Sequence, residues 1–229
     1  MAVFSASLSE RKEFMCNPEI PNGIVLVGGG GHALSLIEAA GSQHFAGYTA
    51  MQPADKIDID WLGDDSAAAS LAAKGHPFHM AFVYVGLPVM RKRRALIEMY
   101  EQAGAQFATI IAPTAIVTPN CRIAEGAAVL NGVIINRATI GRNVIINTGA
   151  IVEHDCVIGD NSFIGPGVVM GGGVEIGDDC FIGLGAKLKN NIKIASGVSV
   201  AMGAVVTRDL LQPGIYHGTP LRCTQLRHQ

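Results

Sequence analysis

The residue whose type and position best fit chemistry is His154, within Val152-Glu-His-Asp-Cys156. No other histidine lies between residues 80 and 216. Asp155 adjoins it, and a carboxylate beside an imidazole can fix the orientation of the ring and raise its basicity. A neutral imidazole held in this way suits the removal of a proton from an amine or hydroxyl group as that group attacks a thioester. Polar Asn147, on the preceding turn, is placed to meet a substrate.

The histidine also has plainer interpretations. A lone histidine at a turn is often no more than an exposed polar residue. Zinc enzymes such as the γ-type carbonic anhydrases need three histidine ligands, and this region offers one, so no metal site is predicted. Cysteines do not form a CxxC pair, and we expect small buried thiols at Cys121, Cys156 and Cys180.

His154 lies within a stretch in which apolar residues recur every six positions. An aliphatic residue or Met recurs at every sixth position from Ile140 to Val206, and the same period holds, one residue out of step, from Ile111 to Ile135. Neither an α-helix nor a simple strand produces this spacing. Hexapeptide repeats predict a parallel β-helix, in which short strands stack around one apolar core. The register points Val152 and Cys156 inward and leaves His154 on an outward corner.

The region before the repeats alternates strands and helices, which predicts a small parallel α/β sheet. A buried strand at Ile24–Val27 is followed by a glycine-rich loop. Further strands are predicted at 45–49, 79–85 and 106–110, and helices at 33–40, 64–74 and 90–103.

The glycine-rich loop, Gly28-x-Gly30-x-x-Ala33, matches the G-x-G-x-x-G/A fingerprint for binding a diphosphate at a helix N-terminus. That fingerprint expects an acidic residue about 20 positions later for the ribose. Here the region reads Gly47-Tyr-Thr-Ala50, without an acid. NAD is therefore not predicted. A site for a nucleotide-linked ligand is the preferred interpretation, and a purely structural turn is the alternative.

Composition excludes several classes of partner. The net charge is −2, without a basic tract, so we expect no nucleic-acid binding. No apolar run approaches the roughly 20 residues that span a bilayer, and the first residues lack an apolar signal core. We expect a cytoplasmic protein without membrane insertion. The predicted organisation is a leader over 1–21, an α/β domain over 22–111, a β-helix over 112–211 and a cap over 212–229.

Four stretches make the chain resemble a known family, the bacterial left-handed β-helix sugar acetyltransferases that include sialic acid O-acetyltransferases and UDP- or GDP-amino-sugar N-acetyltransferases. The resemblance covers nearly everything from Gly23 to Arg222. The stretches are Val27–Ala33, Val85-Gly86 with Arg91, Asn147–Gly159 and His217–Arg222.

The resemblance implies a Rossmann-like N-terminal domain that holds a nucleotide sugar, a left-handed β-helix, a homotrimer, and acetyl-CoA in the groove between neighbouring β-helices. It implies His154 as the general base and Asp155 as its partner. The substrate-binding residues it implies are Gly29, Gly30, Gly31, His32, Gly86, Arg91 and Asn147. The acetyl-CoA-binding residues it implies are Phe163, Gly172, Gly173 and Leu184.

The sequence departs from the family in the nucleotide pocket. Members commonly carry an acidic pair where this chain has Tyr48-Thr-Ala50, and Asn residues where Leu87-Pro88 follow Gly86. These departures leave the choice between UDP and GDP open. The first hypothesis is an acetyl-CoA-dependent N-acetyltransferase acting on a nucleotide-linked 4-amino-4,6-dideoxy sugar. The alternatives are O-acetylation of a sugar such as sialic acid and a non-catalytic β-helix scaffold.

Overall fold

A computed structural model describes residues 20–83, 87–218 and 222–224. Its N-terminal part is a three-stranded parallel sheet in the order β2-β1-β3. The central strand is buried along its whole length because helices and the β-helix cover both faces of the sheet. The elements of this part are β1 (Ile24–Val27), α1 (Gly31–Ala40), β2 (Phe45–Thr49), α2 (Ala68–Ala73), β3 (Phe78–Met80) and α3 (Leu87–Gln102). Single 3₁₀ turns occupy Ser42–His44 and Asp65–Ala67.

Several of these elements differ from the predicted bounds. Helix α1 begins at Gly31 rather than at residue 33, since glycine can also occupy a first turn. Strand β3 is shorter than predicted because its partner β1 ends at Val27, which pairs with Met80. Helix α3 begins at Leu87 and carries Pro88 in its first turn, where a missing N–H costs no helical bond. Part of the predicted strand 79–85 lies outside the described residues.

The remaining strands form a parallel β-helix with three faces, consistent with the left-handed class. Sheet 1 contains β4 (Ile110–Ile111), β7 (Ala128–Val129), β10 (Ile145–Ile146), β13 (Phe163–Ile164), β16 (Phe181–Ile182), β19 (Val198–Val200), β21 (Gly214–His217) and the antiparallel β22 (Arg222–Thr224). Sheet 2 contains β5 (Ile116–Val117), β8 (Ile134–Ile135), β11 (Ile151–Val152), β14 (Val169–Met170), β17 (Lys187–Leu188) and β20 (Val205–Val206). Sheet 3 contains β6 (Arg122–Ile123), β9 (Thr139–Ile140), β12 (Val157–Ile158), β15 (Glu175–Ile176) and β18 (Lys193–Ile194).

Each coil runs from sheet 1 to sheet 2 to sheet 3, so the prism has three rows of corners. We call the turn between sheets 1 and 2 the first corner, that between sheets 2 and 3 the second corner, and that between sheets 3 and 1 the third corner. In the central coil Asn147 lies on the first, His154 on the second and Asn161 on the third.

The six-residue period marks the core of the prism. The predicted inward residues from Ile111 to Val206 form one buried apolar cluster, except that Val117 is only partly buried and packs against it. Val152 is completely buried, and Cys121, Cys156 and Cys180 are buried free thiols, as predicted. The first strand of the prism, Ile110–Ile111, precedes residue 112 because it pairs with Ala128–Val129 of the next coil.

The N-terminal part packs on the outer face of sheet 1. Apolar side chains of α1 share a buried cluster with Ala128, Ile145, Phe163 and Phe181. Ion pairs add to this contact at the third corner, where Arg94 on α3 bonds both carboxylate oxygens of Asp179 at 2.9 Å. Within the described ranges, no helix combines the length and the apolar character needed to span a membrane.

Candidate active site

The second corner brings His154 and Asp155 together. Nδ1 of His154 lies 2.9 Å from Oδ2 of Asp155. The hydrogen bond from His154, followed by that from Arg137, lowers the pKa of the Asp155 carboxyl, which is therefore ionised at neutral pH. An ionised carboxylate can only accept, so Nδ1 donates to it, and Nε2 is the ring nitrogen left to act as a base. The side chains of His154 and Asp155 are 63% and 53% exposed, so a substrate can reach them.

Arg137 completes this group and was not singled out in the sequence. Its Nη2 lies 2.9 Å and 3.0 Å from the two oxygens of Asp155. The residue occupies the same corner one coil earlier, 18 positions before Asp155, and its carbonyl accepts the Asp155 N–H at 3.0 Å. The coil length of the repeat was the signal that could have found it. Arg137 and His154 thus hold the same carboxylate.

Gly172 of the next coil lies against the imidazole, and Gly173 bonds the backbone of His154. A Cβ atom added at Gly172 would come within 2.6 Å of Cε1 and Nε2 of His154, so only glycine allows the ring to rest there. The Gly173 N–H donates to the His154 carbonyl at 2.8 Å, and the Gly171 N–H donates to Leu188 O at 2.9 Å. Among the described residues, the N–H of Gly172 has no backbone acceptor, so it is free to bind a ligand oxygen.

The first corner carries a separate cavity of about 460 Å³. Asn147, Phe163 and Leu184 line it, together with Val83 from the N-terminal part. Phe163 is buried and stacks on Phe181 with ring centroids 5.0 Å apart, whereas Leu184 is half exposed. The lining is mainly apolar, which fits the aliphatic part of a ligand.

The predicted residues therefore fall into two groups within one chain. Asn147, Phe163 and Leu184 share the first-corner cavity, whereas Gly172 and Gly173 lie with the histidine at the second corner. The strands of sheet 2 separate the two rows of corners. One chain alone thus does not bring the whole predicted set together.

The glycine-rich loop has the geometry expected of a diphosphate site. Gly28 has a φ of +115°, and a Cβ there would approach the backbone N of Phe82 to 3.0 Å. Gly30 and Gly31 face open space, with no atom within 4 Å of an added Cβ. The first turn of α1 holds no acidic residue, so its N–H groups and the helix dipole favour an anion.

Behind this loop lies a cluster of three basic residues, in which His79 and Arg93 are fully buried and His32 is partly buried. His79 is fully buried on β3 and pairs with Leu26, so it faces the side of the sheet that α1 covers. Its Nδ1 lies 2.9 Å from the Ala108 carbonyl, which fixes the proton on Nδ1. Within the described residues, the Nε2 atoms of His32 and His79 have no hydrogen-bond partner.

Burial controls the charge of this cluster. Burial, followed by the charges of His79 and Arg93, lowers the pKa of His32 to about 3. Burial also lowers the pKa of His79 to about 4, although the Ala108 hydrogen bond opposes the shift. Arg93 is fully buried and donates to the carbonyls of Asn143 and Met80 and to the side chain of Asn161, so it joins α3, β3 and the prism. Both histidines are thus neutral at neutral pH beside one buried cation.

The two remaining predicted residues are Arg91 and Gly86. Arg91 is exposed on α3. Gly86 lies outside the described residues. No set of three or more His, Cys, Asp or Glu side chains arranged to bind a metal ion occurs in the described part of the chain.

Similarity to known proteins extends over most of the chain. The family profile "Bacterial transferase hexapeptide (six repeats)" matches residues 137–172. The crystal structure of PerB from Caulobacter crescentus, in complex with CoA and GDP-perosamine, is 34% identical and superimposes with a TM-score of 0.81. The match covers 89% of this chain and 97% of PerB. This chain belongs to the bacterial hexapeptide sugar acetyltransferases.

A second relative of this acetyltransferase family agrees with the assignment. The acetyltransferase domain of PglB from Neisseria gonorrhoeae, in complex with acetyl coenzyme A, is 26% identical, with a TM-score of 0.80. That match covers 89% of this chain and 100% of the PglB domain. WeeI from Acinetobacter baumannii, at 23% identity and a TM-score of 0.76, shares the fold. No curated protein sequence gives a significant match.

Family membership settles the class of protein. The chain is an acyltransferase, as predicted, rather than a non-catalytic β-helix scaffold.

Proposed function

We propose that this acyltransferase moves the acetyl group of acetyl-CoA to the amino group of a nucleotide-linked 4-amino-4,6-dideoxy sugar. The observation that carries the proposal is the accessible His154–Asp155 pair, in which Nε2 is left to take a proton from an amine. The complex of PerB with CoA and GDP-perosamine supports a GDP-linked amino sugar as the first substrate to test. Transfer to a sugar hydroxyl is the second candidate, because the same base serves both acceptors.

His154 acts as the general base in a direct transfer. The amine nitrogen attacks the carbonyl carbon of the thioester, and Nε2 takes the proton that the nitrogen loses. The C–S bond then breaks, and the proton on the imidazolium can pass to the departing CoA thiolate. Asp155, held by Arg137, stabilises the imidazolium that forms, as a carboxylate does in comparable pairs.

The backbone at Gly172 supplies the second catalytic element. The tetrahedral intermediate carries a negative oxygen, which needs a donor placed in advance. The Gly172 N–H is beside His154, whereas the neighbouring Gly171 and Gly173 N–H groups are engaged in the ladder between coils. We assign the oxyanion contact to Gly172.

The remaining residues of the proposal bind the two substrates. We assign Phe163, Gly172, Gly173 and Leu184 to acetyl-CoA and Asn147 to the acceptor sugar. We assign the diphosphate to the N-terminal α/β part with Gly29, Gly30, Gly31 and His32. The open space above Gly30 and Gly31 supports this placement. Arg91 and Gly86, the latter outside the described residues, stay predictions for substrate binding.

A homotrimer would assemble the complete site. The first-corner cavity and the second-corner histidine are apart in one chain, so a neighbouring copy must bring one row of corners to the other. Sheet 2, which lies between the two rows, exposes an apolar row, and contiguous apolar surface of this kind marks an interface. The row follows the strand register through Ile116, Ile134, Ile151 and Val169.

A thiol-release assay with acetyl-CoA tests the function. The acceptor panel contains GDP-linked and UDP-linked 4-amino-4,6-dideoxy sugars and free sialic acid. Turnover of one amino-sugar nucleotide supports the proposal and identifies its nucleotide. Turnover of sialic acid alone assigns the enzyme to O-acetylation. If no acceptor of the panel is turned over although acetyl-CoA binds measurably, nucleotide-linked 4-amino-4,6-dideoxy sugars are rejected as the substrate class.

Replacing Gly172 tests whether the imidazole of His154 must rest against this glycine for catalysis. In Gly172→Ala the new Cβ would lie 2.6 Å from the ring of His154, so the exposed ring must turn away from its position. We expect kcat to fall by about 10- to 100-fold, because a base displaced by about 1 Å loses most of its effect. The melting temperature should stay close to that of the wild type, since the ring can move into solvent. An unchanged kcat would contradict the position assigned to His154.

Charging the apolar row tests the trimer. Val169, the last residue of the row, is 38% exposed, and Val169→Lys would place an ammonium group in the proposed interface. We expect sedimentation to show a species smaller than a trimer and acetyl transfer to fall at least tenfold. Met99→Lys, at an exposed site on α3, is the matched control and should remain trimeric. A Val169→Lys protein that stays trimeric and fully active would exclude sheet 2 as the interface.

A further inference from the structure

The single tryptophan of the chain, Trp61, is 43% exposed beside the glycine-rich loop. Tryptophan buries a large apolar area when it packs, and it is seldom left in water without a partner. The adjacent Met51 is 90% exposed, so apolar surface continues there. The function proposed above gives Trp61 no role.

The backbone holds the Trp61 segment against the outer edge of β2. Tyr48 N–H donates to Asp60 O at 2.8 Å, and Leu62 N–H donates to Tyr48 O at 2.8 Å. These bonds make Trp61 the parallel partner of Tyr48. Partners in register point to the same face of a sheet, so Trp61 and Tyr48 share a face.

The indole is fixed at the carboxyl end of the sheet. Its Nε1 donates to the carbonyl of Ala50, directly after β2, at 2.9 Å. The ring is therefore held in one orientation while much of its surface remains open. A rigid, exposed aromatic ring of this kind costs little entropy when a ligand binds to it.

Short contacts connect this position to the glycine-rich loop. The Gly28 N–H donates to Thr49 O at 2.9 Å. A Cβ added at Gly29 would lie 2.9 Å from the Tyr48 ring and 3.4 Å from the Cβ of Ala50. Ala50 thus lies next to the loop and accepts the hydrogen bond of Trp61 with its carbonyl.

In open parallel sheets a nucleotide lies outside the carboxyl ends of the strands. Its diphosphate binds the loop after the first strand, and its ribose lies over the end of the adjacent strand, where an acidic residue commonly binds the hydroxyls. Here that strand is β2, whose end carries Thr49 and Ala50 in place of an acid. A base attached to a ribose at this point extends beyond β2, toward Trp61.

We propose that Trp61 is the stacking platform for the nucleobase of the nucleotide sugar. This inference rests on the proposed function for the identity of the ligand, and on the sheet geometry for its position. Stacking on the indole compensates for the absent ribose carboxylate. Because the two-ring face of a purine covers more of an indole than a pyrimidine does, the platform favours a purine nucleotide such as GDP over UDP.

The tryptophan itself reports the contact, since the chain contains no other. Titrating the wild-type protein with GDP should quench the tryptophan fluorescence in a saturable manner, and UDP should do so at higher concentration. Inorganic pyrophosphate, which can occupy the loop without a base, should compete with GDP but leave the fluorescence nearly unchanged. Calorimetry with GDP then compares Trp61→Leu and Trp61→Phe, with the distant Leu211→Ala as a control.

We expect the Kd for GDP to rise about 10- to 100-fold in Trp61→Leu, the range measured for loss of a base–aromatic stack. Trp61→Phe should restore most of the affinity, and Leu211→Ala should match the wild type. In acetyl-transfer assays Trp61→Leu should raise the KM for the nucleotide sugar while kcat and the KM for acetyl-CoA change less than twofold.

The outcomes separate this inference from the proposed function. GDP binding with quenching but no acetyl transfer would reject the proposed acceptor and support the platform. Acetyl transfer with no fluorescence response to GDP, and with an unchanged KM in Trp61→Leu, would reject the platform. Equal loss of affinity in Trp61→Phe and Trp61→Leu would also reject stacking as the role of the ring.

Discussion

Replacing His154 with alanine should reduce kcat by about 10²- to 10⁴-fold, the usual contribution of a general base. The ring is 63% exposed and contributes little to packing, so the fold should tolerate its loss. Both substrates should still bind with KM values within a few-fold of the wild type, because the proposed diphosphate site and the first-corner cavity are formed by other residues.

Asp155→Asn gives a graded comparison for this result. Asparagine keeps an oxygen that can accept the Nδ1–H of His154 but removes the negative charge that stabilises the imidazolium. We expect a smaller loss of kcat than in His154→Ala. The double variant should lose no more than His154→Ala alone, because the carboxylate acts through the ring. Full acetyl transfer by His154→Ala would reject the assigned base.

The core of the prism could be predicted from the sequence because the rule that forms it is local. Each short strand turns one side chain inward every six residues, so the positions from Ile140 to Val206 report their burial without knowledge of distant contacts. The His154–Asp155 contact was equally accessible, since the two residues are adjacent in the chain. Arg137 needed one further step, the coil length of the repeat.

Other features depend on how separate segments pack. Trp61 gains its position from the register between residues 60–63 and β2, which composition does not encode. The basic cluster combines His32 after β1, His79 on β3 and Arg93 on α3, and no spacing in the sequence indicates that these residues meet. The bounds of β3 likewise follow from the length of its partner β1. Such features cannot be predicted from local sequence patterns, because they depend on the tertiary arrangement.

The low pKa values of His32 and His79 predict a marked loss of stability in mild acid. Burial lowers the pKa of His79 from 6.5 to about 4 and that of His32 from 6.5 to about 3. Below pH 6.5 the unfolded chain takes up protons on both residues while the folded chain does not, so acid favours unfolding. Above pH 6.5 both states are neutral at these positions, and the effect disappears.

We expect the free energy of unfolding to fall by about 2 kcal/mol for each of the two histidines between pH 7 and pH 5, since one pH unit corresponds to about 1.4 kcal/mol per proton. Denaturant titrations at several pH values measure this change. Carboxylates also contribute to the total, so the informative quantity is the difference between the wild type and a variant that lacks one buried ring.

His79→Leu isolates the contribution of one histidine. The variant should be less stable than the wild type at pH 7, because the partly buried Ala108 carbonyl loses its donor. Between pH 7 and pH 5 the difference should shrink by about 2 kcal/mol, because leucine has no proton to gain in the unfolded chain. A pH profile for His79→Leu parallel to that of the wild type would instead mean that the folded protein admits the proton at His79, which the adjacent buried cation of Arg93 opposes.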